Sequence, residues 1–540
     1  MLLLQLHPVL GRAEVIAQVE TTRRAHPAEN PHLVRHGERV YSSLGLRLDR
    51  LPDNDSADGP PAASLGLGSR ALRNSTIVLT AKVIARLIAL VTVLYMIRRL
   101  APAHYGTFTV LINLTAIVSV VLDLGFNVLF VREGARNRSE IQRYLRNVMS
   151  LRLLMSVVAF LLLAGLVIPL GLTDLLVPGF VLMVLTSYAT LLRNGLYAVQ
   201  QLGYEAIAVI LESLVLLVLV VYGGRTQQSV VYYVWAYAAQ YAFSCAYFIV
   251  VLAIKRIAIV GWRFELTFLR EWFWKGLPFA LTFILTIIYF RIDQPLVYAF
   301  HGKFAASYYG AAYKPIEALL FVPITFLSIV FPVLSVYHRE RPADMLDALN
   351  RFYKALLLMG WPVSVGIFVL AHPLTPVLLG NDYGASEPAL RILALALGIA
   401  FVNNAFIGAL NASDRQSSFS WAATWSVVAN VALNLALIPP FSFIGASWAT
   451  VLTELALGIA GWVLTARYVG RVRVTALGWR VILAGLVMGI AIYPLSNLQG
   501  LEVAIPIVVG AAVYAAAVLL LRAVNGDEIA WARRALAEAG

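Results

Sequence analysis

The sequence is poor in charge and nearly free of cysteine. Charged side chains make up 13% of the 540 residues, whereas hydrophobic side chains make up 60%. Since soluble domains carry about 25% charged residues, this composition excludes a soluble globular protein. The single cysteine, Cys245, excludes a disulfide within the chain and a metal site built on several thiolates. It lies inside an apolar segment, where we expect it to pack against a neighbouring helix.

Motifs of soluble chemistry are missing as well. The chain has no glycine-rich loop of the Walker type, so it is not by itself an ATP-driven pump. The eight histidines are scattered along the chain. We therefore predict no catalytic residue, no metal, no cofactor and no enzymatic activity. The net charge of +13 does not indicate a nucleic-acid partner, because the basic residues are distributed over short loops on one side.

The sequence contains instead a series of apolar segments. Each is close to the about 20 residues that an α-helix needs to cross the hydrocarbon core of a bilayer. Runs such as Leu214–Tyr222 are continuously apolar, unlike the alternating strands of a membrane β-barrel. We predict an all-α polytopic membrane protein with about fourteen transmembrane helices. The predicted spans are 75–97, 106–130, 149–170, 176–199, 205–222, 229–252, 276–299, 307–335, 355–378, 388–411, 419–438, 443–466, 478–495 and 501–522.

A repeated pair of residues predicts that the helices form two halves. Tyr105-Gly106 near the start of span 2 reappears as Tyr309-Gly310 near the start of span 8, and each follows a span with cationic residues. Repeated halves around a central site are common in transporters. The predicted organisation is a disordered cytoplasmic extension (1–74), a six-helix N-lobe (75–252), a cytoplasmic linker (253–275), a six-helix C-lobe (276–466), two additional C-terminal helices (467–522) and a cytoplasmic tail (523–540). A start codon assigned too far upstream is an alternative reading of residues 1–70.

The distribution of basic residues predicts the orientation. Arginine and lysine are concentrated in the loops after spans 2, 6, 8 and 12, and the opposite loops hold few of them. Arg98 and Arg99 are the exception. The positive-inside rule then predicts that both termini are cytoplasmic, in a multi-pass protein of the cytoplasmic (inner) membrane.

Charged residues within the apolar spans are the best candidates for function, because a charge in the membrane is costly and usually faces a cavity or a partner. Lys82 and Arg86 in span 1 lie at i and i+4 on one helix face, where like charges repel each other. A water-filled cavity that receives an anion explains this arrangement. The alternative is that both side chains snorkel to the cytoplasmic interface.

Span 7 contributes Arg291, a second cationic candidate for the cavity. Asp293 lies two residues on and therefore faces another direction. We expect this carboxylate to support Arg291 from another helix or to bind a proton or a cation. A pair near the outer end of the helix is the alternative for both residues.

Three further charges extend the set of candidates. Lys314 and Glu317 in span 8, at i and i+3, are expected to neutralise each other. Glu212 in span 5 has no local partner, so it needs a distant cation or a proton. We assign these three residues and Asp293 to ion coupling or charge balance. For Asp123 and Glu454 we expect contacts at helix ends or between helices, and for Arg391 a position at the mouth of span 10. Arg193 in span 4 is the remaining intramembrane charge.

Several short motifs occur in an order that resembles a known family. They are Arg98-Arg-Leu-Ala-Pro-Ala-His-Tyr-Gly106, Asp123-Leu-Gly-Phe126, Gly276-Leu-Pro-Phe279, Arg291-Ile-Asp-Gln294, Tyr309-Gly-Ala-Ala-Tyr-Lys314, Asn434-Leu-Ala-Leu-Ile-Pro439 and Gly445-Ala-Ser-Trp-Ala-Thr450. Together they resemble the polysaccharide-transporter branch of the multidrug/oligosaccharidyl-lipid/polysaccharide (MOP) exporter superfamily, which includes Wzx-type O-antigen flippases. The resemblance covers residues 74–470.

The resemblance implies two lobes with a central cavity that opens alternately to each side. It implies a substrate of oligosaccharide linked to undecaprenyl pyrophosphate, moved to the outer leaflet for lipopolysaccharide O-antigen or exopolysaccharide synthesis. It also implies coupling to a proton or sodium gradient, and a polysaccharide polymerase and a chain-length regulator as partners. Lys82, Arg86 and Arg291 would then bind the pyrophosphate, since arginine makes bidentate hydrogen bonds to phosphate oxygens.

Three other functions stay open at this point. A drug or cation antiporter of the same superfamily would need a cavity rich in carboxylates and aromatics. A polysaccharide polymerase or polyprenyl-linked glycosyltransferase would need acidic or histidine groups in a sizeable outside loop, and the outside loops here are short. A membrane scaffold without transport activity is the third.

Overall fold

The computed structural model describes residues 62–524, which are helical over most of their length. No β-strand occurs between Ala62 and Val524. The α-helices in this range are α1 (Ala62–Arg99), α2 (Pro102–Val118), α3 (Val120–Asp123), α4 (Phe126–Arg136), α5 (Ile141–Val167), α6 (Leu176–Ala198), α7 (Leu202–Arg225), α8 (Val230–Ile254), α9 (Leu266–Arg291), α10 (Asp293–Leu319), α11 (Phe321–Glu340), α12 (Pro342–Leu378), α13 (Glu387–Ala412), α14 (Gln416–Tyr468), α15 (Val474–Ile492) and α16 (Ala504–Leu520). Short 3-10 turns connect several of them, the longest at Asn381–Ser386.

The all-α membrane architecture is confirmed. Within residues 62–524, twelve helical runs are long and apolar enough to cross a membrane. Two of these runs are very long, Phe279–Glu340 and Gln416–Tyr468, and they contain residues with non-helical backbone, Gly302 and Ser442. A run of 53 residues is about 80 Å long at 1.5 Å per residue, more than twice the bilayer core. The number of crossings, fourteen, stays a prediction.

The ends of the predicted regions differ from the helix boundaries in two places. Helix α1 begins at Ala62, ahead of the boundary predicted at residue 74. Helix α9 begins at Leu266, inside the predicted linker 253–275, so the non-helical part of that linker is shorter. The predicted disorder of the extension and most of the C-terminal tail fall on residues 1–61 and 525–540, which lie outside the described residues.

The helices pack in two groups. In the N-lobe, defined as α1–α8, α1 packs along α7 and α6 packs along α8. In the C-lobe, defined as α9–α14, α13 packs between α12 and α14, and α10 packs on α14. Helices α15 and α16 pack on each other and α15 packs on α12, at the side of the C-lobe. Helix α2 of the N-lobe packs against α10 of the C-lobe, so these two helices bring the lobes together.

A bend between α3 and α4 brings the lobes together a second time. Leu124 and Gly125 have φ of 38° and 78°, which ends one helix and starts the next. A Cβ on Gly125 would lie 2.6 Å from the Cβ of Phe279 and 2.7 Å from the carbonyl oxygen of Gly276 on α9. Only glycine fits both the backbone conformation and this approach, so the bend fixes where the N-lobe contacts α9.

The apolar core is shared by the lobes at one end of the bundle and divided at the other. One cluster joins residues of both lobes, among them Tyr105, Leu111, Tyr309 and Phe401. The other end has separate clusters, one within 126–272 and one within 327–523. The lobes are therefore closed against each other at the end that carries the α1–α2 turn.

Candidate functional site

A cavity lies at the centre of the molecule, where α9 ends and α10 begins. Its lining includes Arg291, Lys314 and Tyr313 from the C-lobe and Asn113 from α2 of the N-lobe. Helix α10 starts at Asp293, one residue after the end of α9. Asp293 lies two residues after Arg291 and therefore points in another direction. Arg291 contacts Asn113 of the N-lobe and Asp293 bonds within the C-lobe, although both line the cavity.

Two cations, Arg291 and Lys314, and one carboxylate, Asp293, line this central cavity, and Arg86 and Glu317 lie close to them. Arg291 Nη2 lies 3.3 Å from Glu317 Oε1, and Lys314 Nζ lies 2.8 Å from Glu317 Oε2. The guanidinium of Arg86, from α1, lies 5.9 Å from the ring centre of Phe321 and close enough to Glu317 to interact with its charge. Arg86 has no ion-pair partner among the described residues. Three cations thus lie around Glu317, and the expected pair of Lys314 and Glu317 is present.

Lys82 is oriented away from this group. Its ammonium lies 3.2 Å from Glu205 and 3.4 Å from the hydroxyl of Tyr197, which itself donates to Glu205. The charge of Lys82 is therefore neutralised inside the N-lobe. Of the two cations predicted to share an open helix face, only Arg86 is largely exposed.

Glu212, which has no partner on its own helix, pairs with a cation of a neighbouring helix, one of the two alternatives expected from the sequence. Arg193 Nη2 lies 2.7 Å from both carboxylate oxygens of Glu212, and Ser244 Oγ donates to the same carboxylate. The two residues are nineteen positions apart, on the consecutive helices α6 and α7. Both were visible as intramembrane charges, but a pairing across helices cannot be read from spacing within one helix.

Asp293 is buried in a polar group of the C-lobe. Its carboxylate accepts hydrogen bonds from Tyr309 Oη at 2.7 Å, Asn434 Nδ2 at 2.8 Å and Thr450 Oγ1 at 3.4 Å. Asn434 Oδ1 is buried without a hydrogen-bond partner. Asp293 also lines a second cavity, and no cation forms an ion pair with it in the described part of the chain.

The second cavity is lined by carboxylates, tyrosines and apolar groups. It holds Asp293, Glu454, Tyr289, Tyr313 and Asn430 on its walls. Glu454 accepts from Tyr289 Oη at 2.7 Å and from Asn403 Nδ2 at 2.8 Å, which confirms it as an interhelical contact. Across residues 62–524, no cluster of three or more histidine, cysteine, aspartate or glutamate side chains could hold a metal ion.

Sequence reasoning missed two buried charges. Arg152 is fully buried and lies 3.1 Å from Asp123, with further bonds to Ser187 and Asn127. It lies inside predicted span 149–170, three residues from its start, and was not counted among the intramembrane charges. Glu205, the partner of Lys82, was omitted in the same way. Both residues would be identified if charged residues within one helical turn of a predicted span boundary were treated as intramembrane candidates.

It also missed the uncharged residues around Arg291. Asn113 and Gln294 are 5% and 7% exposed and connect α2 to α10 through their amides. Neither residue carries a charge, so neither drew attention in an apolar segment. Polar amides facing each other across helices leave no periodic pattern in a single sequence.

Two family models match the chain. The model described as "Polysaccharide biosynthesis protein" matches residues 71–338, and the model described as "Lipid II flippase MurJ" matches residues 216–503. No curated protein matches the sequence.

Solved structures with the same fold are similar over most of their length. The structure described as "Lipid II flippase MurJ, inward closed conformation" has a TM-score of 0.69 at 15% identity, over 83% of this chain and 99% of that one. An inward-facing MATE multidrug transporter of the MOP superfamily has a TM-score of 0.57 at 15% identity, over 72% and 94%. The MATE multidrug transporter DinF-BH has a TM-score of 0.52 at 15% identity, over 77% and 98%.

The helical architecture and these structural similarities define a multi-pass membrane protein with the fold of the MOP transporters. Since the MurJ model covers more than half of its length, the chain belongs to that family, within the flippase branch of the MOP superfamily.

Proposed function

We propose that the protein moves oligosaccharide linked to undecaprenyl pyrophosphate from the cytoplasmic to the outer leaflet of the inner membrane, for cell-surface polysaccharide synthesis. Membership of the flippase branch supports a lipid-linked substrate. In this proposal both termini are cytoplasmic, the protein catalyses no covalent step, and a polymerase and a chain-length regulator act on the delivered product.

One observation carries the proposal: the cavity between the lobes has an excess of positive charge. Three cations, Arg86, Arg291 and Lys314, stand there against two carboxylates, Glu317 and Asp293, and the hydrogen bonds of Asp293 come from neutral groups of the C-lobe. A pyrophosphate cannot cross hydrocarbon unaided because its charge is too costly to desolvate. Guanidinium groups replace its hydration by paired N–H donors. The lipid chain would stay in the bilayer while the headgroup passes between the lobes.

Asp293 is our candidate for coupling to a proton or to sodium. Its carboxylate, Thr450 Oγ1 and the unpartnered Asn434 Oδ1 are oxygen groups in one buried cluster, and hard cations prefer such ligands. Asp293 and Arg291 lie two residues apart where α9 meets α10. A cation bound at Asp293 would therefore be adjacent to an anion bound at Arg291. Asp293→Asn should remove the stimulation of transport by an imposed gradient; unchanged stimulation would relegate Asp293 to packing.

Translocation in proteoliposomes tests the proposal. The purified protein would be reconstituted with a fluorescent undecaprenyl-pyrophosphate oligosaccharide and an impermeant quencher outside. We expect protein-dependent transfer between leaflets, lost in Arg291→Ala. Arg391→Ala is the matched control, because Arg391 pairs with Glu387 on its own helix, away from the central cavity. Equal loss in both variants, or no transfer by the wild type, contradicts the proposal.

The second cavity favours one competing function. Asp293, Glu454 and two tyrosines line it, which is the carboxylate and aromatic lining expected of a cation antiporter. Efflux of a cationic dye, abolished by Glu454→Gln and indifferent to Arg291→Ala, would support that function over the flippase.

A further inference from the structure

A pair of buried amides joins the two lobes beside Arg291. Asn113 Nδ2, on α2 of the N-lobe, donates to Gln294 Oε1 on α10 of the C-lobe. Gln294 Nε2 returns a hydrogen bond to Thr109 Oγ1 on α2 at 2.8 Å. Both amides are nearly buried, so the lobes are connected here by hydrogen bonds in a low-dielectric environment, where each bond is strong.

The Gln294 amide packs closely against Gly310 on its own helix. A Cβ on Gly310 would overlap the Gln294 amide and lie 3.4 Å from Thr109 Oγ1. Gln294 Nε2 also donates to the Ala306 carbonyl at 3.1 Å. The glycine thus makes the space in which the glutamine side chain reaches the N-lobe.

The same asparagine also holds Arg291. Arg291 Nη1 donates to Asn113 Oδ1 at 3.3 Å, while Nη2 pairs with Glu317. Asn113 lines the central cavity together with Arg291 and Lys314. An anion that accepts hydrogen bonds from the Arg291 guanidinium must compete with Asn113 Oδ1 for the same N–H donor.

We propose that the Asn113–Gln294 amide pair is a lock between the lobes, and that an anion bound at Arg291 opens it. The inference rests on the proposed function, since it assigns a positioning role within the same anion cavity. With Arg291 withdrawn by a pyrophosphate, Asn113 loses one of the partners that hold it in place against Gln294. The lobes then separate, and substrate binding is thereby linked to the conformational change that transport requires.

Thermodynamic linkage between anion binding and lobe separation distinguishes a lock from a purely structural contact. If the anion prefers the unlocked state, then a variant that unlocks the lobes must bind the anion more tightly, by the same factor. Gln294→Ala removes the lock without removing the contact between Asn113 and Arg291. Loss of one buried hydrogen bond corresponds to about a fivefold change in the equilibrium between the two states. Gln294→Ala removes two bonds between the lobes, to Asn113 and to Thr109, so this factor is the minimum expected.

The experiment measures lobe separation and anion affinity together. Spin labels would be placed at Gln228→Cys in the N-lobe and Lys303→Cys in the C-lobe, both exposed and at the end that carries the α1–α2 turn, in a Cys245→Ser background that removes the only native thiol. The protein in nanodiscs would be titrated with inorganic pyrophosphate. Asn404→Ala is the control, because that amide donates to the Ala400 carbonyl of its own helix.

Without pyrophosphate, we expect Asn113→Ala and Gln294→Ala to increase the separated population about fivefold or more over the wild type and over Asn404→Ala. We also expect Gln294→Ala to lower the dissociation constant of pyrophosphate. An unchanged resting distribution in both variants, or a higher dissociation constant in Gln294→Ala, overturns the lock. Failure of the wild type to bind pyrophosphate would instead contradict the proposed function, while the resting distributions still test the interlobe contact.

Discussion

Arg152 illustrates, at the scale of the residue, how this protein accommodates charge in an apolar environment. The side chain is fully buried and pairs with Asp123 at 3.1 Å, within a network of amide and hydroxyl groups. A buried pair of this kind adds little net stability, but removing one partner leaves an uncompensated charge. The network also supports the α3–α4 bend, because Asp123 accepts the backbone N–H of Asn127 at 3.1 Å.

Arg152→Ala should lower the free energy of unfolding by about 3–5 kcal/mol, since Asp123 would be left buried and unpaired. Thermal unfolding of the detergent-purified protein, followed by circular dichroism, measures the effect. Arg136→Ala, which removes an exposed surface pair with Glu133, should cost at most about 1 kcal/mol. Adding Asp123→Asn to Arg152→Ala should restore part of the loss, and an unchanged melting temperature in Arg152→Ala would contradict this account.

The linker between the lobes has its own charged anchor at Glu265. Hydrogen bonds from the Arg143 guanidinium, at 3.0 Å, and from Asn147 hold the pKa of the Glu265 carboxyl below its ordinary value of 4.5. The Glu265 N–H donates to Asn147 Oδ1 at 3.0 Å, and the Arg263 N–H donates to Ser150 Oγ at 2.9 Å. The linker is therefore attached to α5 by bonds that depend on an ionised carboxylate.

We predict that the linker detaches in acid. A carboxyl whose pKa is lower in the folded protein stabilises the docked state above its ordinary pKa, and that contribution is lost as the pH falls through the lowered value. Hydrogen-exchange protection of the Arg263 and Glu265 amides should be constant above about pH 5 and fall below about pH 4. In Glu265→Gln it should be low at every pH. Protection in the wild type that persists to about pH 2 would show that the carboxylate does not anchor the linker.

At the scale of the element, the turn Asn381–Ser386 between α12 and α13 closes one end of the cleft between the lobes. Tyr383 is 1% exposed, and its hydroxyl donates to the Leu100 carbonyl of the N-lobe at 3.1 Å. Its ring meets that of Tyr105 at 6.1 Å, nearly perpendicular. A C-lobe turn is thus inserted into the N-lobe, and it has to withdraw before this end opens.

Tyr383→Ala should raise the population open at this end about tenfold or more, since it removes a buried aromatic and a hydrogen bond. The readout is the rate at which an impermeant maleimide modifies Ser307→Cys, a buried position, in a Cys245→Ser background. Tyr383→Phe keeps the ring and should have a smaller effect. Equal rates in all three proteins would mean that the turn does not control access.

The elements themselves were largely predictable. Their apolar content and length predict helices, because only a helix satisfies its own backbone in lipid without a partner strand. Two helix breaks also fall where spans were predicted to end: Gly302 lies between spans 276–299 and 307–335, and Ser442 lies between spans 419–438 and 443–466. Of these two breaks, the one at Ser442 follows Pro439-Pro440, a usable signal, whereas the one at Gly302 depends on a single glycine.

The site was predictable only in part. Arg291 and Glu317 stand out as charges in apolar runs, but their approach to Asn113 and Arg86 depends on how the two lobes meet. The pairing of Arg193 with Glu212 likewise depends on helix packing. Residues that pair across helices can lie at any separation along the chain, so no periodic pattern in the sequence reveals the pairing.

At the scale of the whole molecule, the number of crossings sets which loops face which side. If α14 crosses twice, Ser442 and Lys303 lie on one side of the membrane and Asp414 and Ala343 on the other. In cells, Lys303→Cys and Ser442→Cys should react with an impermeant maleimide, whereas Ala343→Cys and Asp414→Cys should react only after permeabilisation. If Ser442→Cys and Asp414→Cys react from the same side, the segment between them does not cross the membrane, and the number of crossings is smaller than fourteen.

The central claim is that an excess of positive charge between the two closed lobes recognises the pyrophosphate group of the substrate. The most direct measurement compares, in the same proteoliposomes, the transfer of undecaprenyl-pyrophosphate oligosaccharide with that of an analogue in which an uncharged linker replaces the pyrophosphate. We predict that the wild type prefers the pyrophosphate lipid by about tenfold or more, from two guanidinium contacts, and that Arg86→Ala combined with Arg291→Ala abolishes this preference. Equal transfer of both lipids by the wild type would contradict the account.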